Sequence, residues 1–160
     1  MAQLVKGVNQ DGSVDVKLTG RNVEDTILVN ALAVTDTTVR NAPIDVALLK
    51  KYKDFEILIS NTLGQPIGID FVENGTNLRY VKSDGTIGNA NLIGTTFYEI
   101  PVTGAAFVPL GLFSVKGTSG LVDNAQWKRA NLTSSLILRH KALTAPTSGT
   151  LTIIIKGVIN

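Results

Sequence analysis

Apolar and polar positions alternate with a period of two along most of the chain, the pattern of strands that lay one face on a core. Phe55, Ile57 and Ile59 share one face of residues 55–60, and Ile67, Ile69 and Phe71 share one face of residues 67–72. Between them, Asn61-Thr62-Leu63-Gly64-Gln65-Pro66 supplies the Asn, Gly and Pro of a turn, so the two runs predict a hairpin. Residues 78–82 predict a short strand ending at Ser83-Asp84-Gly85-Thr86, whose Asp-Gly pair suits a tight turn. Residues 96–102 and 106–115 are further extended runs, punctuated by Pro101 and Pro109.

The strongest strand pattern closes the chain. Over residues 135–143, Ile137, Arg139 and Lys141 lie opposite Leu136, Leu138 and His140. A polar loop spans residues 144–150, and residues 151–159 are dense in β-branched side chains. These predict a long final hairpin. Helix signals are sparse. Residues 43–52 predict two turns, with Pro43 near the first position and Lys50 and Lys51 at the negative end of the dipole. Residues 123–129 predict one turn more. The expected fold is an all-β antiparallel sandwich, jelly-roll-like or immunoglobulin-like, with an extended N-terminal arm.

The arm follows from where the rings are. All nine aromatics (Tyr52, Phe55, Phe71, Tyr80, Phe97, Tyr98, Phe107, Phe113, Trp127) fall between residues 52 and 127. Aromatic side chains contribute disproportionately to core burial. Residues 1–51 hold none, although Val14, Val16 and Leu18, then Ile27, Val29 and Ala31, alternate as strands do. The expected division is therefore an arm or peripheral strands over 1–51 and a sandwich over 52–160.

Composition narrows the function. Charged residues make up 18% of the 160, against roughly 25% in an average globular protein. Thr, Ser, Asn, Gln and Gly must then cover much of the surface, which suits packing against neighbours. The net charge of +2 gives no argument for nucleic acid, and none is expected as a partner. Four acids against two bases in residues 57–110 give way to one acid against six bases in residues 111–160, so the C-terminal third either is an ordinary solvated face or docks on an acidic surface. With no cysteine, disulfides, thiolate metal sites and a Cys nucleophile are excluded. The first residues lack a signal-peptide layout, and the longest apolar stretch, residues 100–115, is broken by Pro101, Gly104, Pro109 and Gly111. A soluble protein with no membrane partner is expected.

Candidate chemistry is thin. The single histidine, His140, sits mid-strand and has no second His or Cys with which to share zinc, so a structural role is expected. Glu24-Asp25 is the only adjacent carboxylate pair, in a loop-like context, and a glycosidase dyad would be assembled in space rather than in sequence. Neither a phosphate-binding glycine loop nor a nucleophile elbow occurs, and Gly117-Thr118-Ser119-Gly120 reads as a flexible loop. Asp11-Gly12-Ser13 and Asp84-Gly85-Thr86 lack the continuation of a calcium loop and read as turns. Asn74-Gly75-Thr76 and Asn131-Leu132-Thr133 match glycosylation sequons by chance, and Trp127 beside Lys128 and Arg129 reads as a core or interface tryptophan rather than a stacking platform. No catalytic, cofactor-binding or metal-ligating residue is predicted, and no cofactor.

The texture of residues 57–67 and of residues 135–153 resembles small virion structural proteins of tailed bacteriophages: capsid decoration proteins, head-fibre bases and minor tail components. The resemblance covers about the last 110 residues and carries no diagnostic motif, so no functional residue transfers with it. It implies a non-enzymatic β-sandwich, often trimeric, made in the host cytoplasm and located in the virion. Its partners would be major capsid or tail proteins, bound through protein–protein contacts. The alternative expectation is a carbohydrate- or receptor-binding β-sandwich module.

Overall fold

The computed structural model describes residues 3–8, 14–19, 22–77, 79–81, 87–89, 91–94, 97–110, 115–116, 122–123 and 135–159. In chain order the strands are β1 (Gln3–Val8), β2 (Val14–Thr19), β3 (Val23–Leu32) and β4 (Arg40–Ile44), then the one helix among the described residues, α1 (Val46–Lys50). There follow β5 (Tyr52–Asn61), β6 (Ile67–Glu73), β7 (Thr76–Asn77), β8 (Arg79–Val81), β9 (Ile87–Asn89) and β10 (Phe97–Ile100). The last are β11 (Val108–Pro109), β12 (Val115–Lys116), β13 (Val122–Asp123), β14 (Leu136–Ala142) and β15 (Leu151–Ile159).

Two antiparallel sheets pack face to face, as expected of an all-β sandwich. One has the order β11-β5-β15-β3; the larger has the order β13-β12-β10-β6-β14-β4, with β7 folded back on β6. The period of two is realised directly in β14, where Leu136, Leu138, His140 and Ala142 are buried and the residues between them half-buried. Its partners on β6 are Phe71 opposite Leu138 and Ile69 opposite His140. From the other sheet, Ile57 and Ile59 of β5 and Leu151, Ile153 and Ile155 of β15 complete the core. Each such side chain removed from water contributes about 1.5–3 kcal/mol.

The strands of both expected hairpins form, but they do not pair with each other. β5 lies in the four-stranded sheet and β6 in the larger one; β14 and β15 are likewise divided. Residues 61–66 and 143–150 are therefore arches that cross from sheet to sheet. Alternation reports which side chains face the core and is blind to which strand lies alongside. The arches sit side by side: Thr62 N donates to Thr150 O at 3.0 Å, Thr150 N to Thr62 Oγ1 at 2.9 Å, and Leu143 N to Pro66 O at 3.1 Å. Asn61, fully buried, secures the first arch. Its Nδ2 donates to Gln65 O and Pro101 O, and its Oδ1 accepts from Leu63 N.

β3 pairs with β15 and β4 with β14, so residues 23–44 supply an edge strand to each sheet. Val29, Val34, Ala42, Ile44, Val46 and Leu49 are buried there. This part of the core is aliphatic, which is why it has no rings. β1 and β2 pair only with each other among the described strands.

The helix is shorter than expected. Pro43 is in β4, where an edge strand tolerates its missing N–H, and the helix starts after Asp45, whose side chain accepts from Ala47 N at 2.8 Å. The turn expected over residues 123–129 begins at Asp123 in β13, and its remaining residues lie outside those described.

Candidate functional site

The densest polar cluster lies on the outer face of the larger sheet. Along β6, the residues between the core positions are Gly68, Asp70 and Val72; along β14 they are Ile137, Arg139 and Lys141. The antiparallel register sets Arg139 directly opposite Asp70. Arg139 Nε donates to Asp70 Oδ1 at 2.8 Å, and Arg139 Nη2 grips Oδ2 in a short second contact. Asn77 Nδ2 donates to Oδ2 at 3.0 Å and the Leu92 amide at 2.6 Å. Asp70 is wholly buried, although it lies on the side of the sheet away from the core.

What covers Asp70 is the turn at residues 91–94. Gly94 N donates to Asn91 O, and Asn91 Oδ1 accepts from Ile93 N at 3.0 Å, so the asparagine closes its own turn. Leu92 is fully buried and Ile93 is 72% exposed. A Cβ at Gly68 would stand 2.6 Å from Leu92 Cδ1 and 3.0 Å from the Phe97 ring, so only glycine lets the leucine down onto the sheet. Lys141 lies 5.9 Å from the centre of the Phe97 ring, at the cluster's rim. β7 reaches the site through the turn at Asn74 and Gly75. Their φ angles of 50° and 77° make the two-residue turn that Asn-Gly favours.

Chemically the cluster is a tether. Four donors occupy the two oxygens of Asp70, so its carboxylate is engaged throughout. The Asp70 hydrogen bond holds Arg139 more firmly in its charged form, against the opposing effect of its own burial. One cue to it lies in the residue order: Asp70 stands mid-strand among apolar residues.

Compared with protein-family models, with curated proteins and with solved structures, the chain finds no match.

The residues singled out by sequence are dispersed. His140 faces the core, 2% exposed, and its Nδ1 is buried without a hydrogen-bond partner. Burial first, and the nearby Arg40 charge second, push its pKa down to about 4. Glu24 and Asp25 are in strand β3, not in a loop, and point to opposite faces. Glu24 accepts from Lys51 Nζ at 2.5 Å, and Asp25 lies 3.6 Å from Lys156 Nζ. That hydrogen bond raises the Lys51 pKa. Asn74-Gly75-Thr76, matched as a sequon, is the β6–β7 turn, and Asn74 Oδ1 accepts from Ser135 N. Asp11–Ser13, Asp84–Thr86, Gly117–Gly120, Trp127–Arg129 and Asn131–Thr133 lie outside the described residues. Among the described residues no three His, Asp or Glu side chains are grouped to hold a metal, and no helix is long and apolar enough to cross a membrane.

Proposed function

We propose that this chain is a structural assembly protein that docks, as an oligomer, on a phage capsid or tail lattice and stabilises or decorates it. The observation that carries this reading is the β1–β2 ladder. Its register pairs Leu4 with Leu18, Lys6 with Val16 and Val8 with Val14. Five of the six are apolar. A lone two-stranded hairpin is marginally stable in water at best, and this ladder bonds to no other described strand. Contact with a neighbouring subunit or lattice protein supplies the support that a lone hairpin lacks.

The test is a chain that starts at Asn22, just before the β3 edge strand. The truncated protein should melt cooperatively near the temperature of the full chain. It should lose higher-order mass by light scattering and stop co-sedimenting with virions that contain the full chain. A full chain that is monomeric and binds no virion sinks the reading. So does a truncated chain that assembles as well as the full one. Retention of the full chain on immobilised glycans, without virion binding, would favour the carbohydrate-binding alternative.

A further inference from the structure

We propose that His140 is an acid-sensitive latch on edge strand β4: protonating its imidazole opens the β4–β14 ladder while the rest of the sandwich stays closed.

His140 stands on the core face of β14, with Ile69 of β6 opposite it on one side and Arg40 of β4 on the other. It is buried, and its Nδ1 meets no hydrogen-bond partner, so a proton added there gains no acceptor. Arg40 is the charged group that faces it from β4, and the guanidinium is itself held by Asp36 at 3.0 Å. From β6 it meets Ile69, because Asp70 projects to the outer face; on β14 itself Arg139 and Lys141 project outward too. The core positions of the opposing sheet are Ile57, Ile59, Ile153 and Ile155. Nothing on these elements compensates an imidazolium, and Arg40 repels one.

An imidazolium must therefore reach water, and β4 is the wall that yields most easily. β6 is bonded on both sides, by β10 and β14. β4 is bonded on one side only, through five register pairs. The closed state takes the neutral ring, with its pKa near 4; an opened His140 returns to about 6.5. The open state therefore binds the proton, and falling pH favours opening. The population of the open state should grow about tenfold for each pH unit between 6.5 and 4.

Amide hydrogen exchange, normalised for the intrinsic effect of pH, reads this directly. Between pH 7 and pH 5 the protection of the β4 amides that donate to β14 should fall by about tenfold or more, while that of Ile153 and Ile155 in β15 holds. In His140→Gln, which stays neutral, the selective loss should vanish. Arg40→Met, on the half-exposed edge, should leave β4 better protected than the native chain at pH 5. Equal loss in β4 and β15, no loss in β4, or the same slope in His140→Gln would each overturn the proposal. If His140→Gln fails to fold, the native chain decides alone, and a loss in β4 no steeper than that in β15 overturns it.

Discussion

Arg139 on β14 and Asp70 on β6 face each other across a ladder and join on the side turned away from the core, where the turn at residues 91–94 shuts them in. Buried ion pairs add little net stability, but a buried charge left without its partner is costly. Arg139→Met should therefore cost about 3–5 kcal/mol in urea unfolding, because Asp70 stays buried. The double variant Asp70→Leu with Arg139→Met should cost distinctly less than the two single changes added together. Simple additivity would mean that the pair is not a unit.

Gly149 and Gly64 both have left-handed backbone, at φ of 87° and 71°. They differ in surroundings: a Cβ at Gly64 meets nothing, whereas one at Gly149 runs into the Thr62 carbonyl. Gly64→Ala should cost the left-handed penalty alone, about 1–2 kcal/mol. Gly149→Ala should cost clearly more, since the two arches must part. Equal melting shifts in the two variants would refute the close contact between arches.

Gly157 leaves room for the Tyr52 ring, which lies across β15 with its hydroxyl 3.0 Å from Thr26 Oγ1. Gly157→Ala should destabilise by about 1–3 kcal/mol through overcrowding. In a Tyr52→Leu background the same change should cost much less. A penalty that ignores residue 52 would place the strain elsewhere.

His140 makes global stability depend on pH as well. Its pKa is about 4 in the fold and 6.5 in its ordinary setting, so the stability it contributes is complete above pH 6.5. It is lost as pH falls from 6.5 through 4, by up to about 3 kcal/mol. His140→Leu should flatten the denaturation midpoint across that window; an unchanged slope would assign the acid sensitivity to other groups.

Much of this fold was legible in residue order. The buried sets Ile67, Ile69 and Phe71, and Leu136, Leu138 and His140, follow from alternation alone. Partnership did not, because Asn61–Pro66 has a turn's composition whether it closes a hairpin or arches between sheets. Hydrogen bonds from Asn61 to Pro101 and from Thr62 to Thr150 decide it, and they join residues forty and more positions apart. Asp70 was hidden for a related reason: a charged outward position looks solvated until a distant turn covers it. Val29, Ala42 and Ile44 show that a core can be extended without a single ring.

The position of β15 between β5 and β3 has a consequence for how the chain is made. When Asn61 is added to the chain, the strand that will join β5 to β3 is about ninety residues from being synthesised. At roughly 5–20 residues per second, β5 waits about 5–20 seconds with that edge open. β6 waits a shorter time for β14, about sixty residues. The nascent chain thus carries two apolar strands with bare edges until β14 and β15 are made, and during that wait they are most prone to pair with a neighbouring chain. Folding is delayed until the C-terminal arch emerges, and slowed translation anywhere after residue 73 should raise the aggregated fraction.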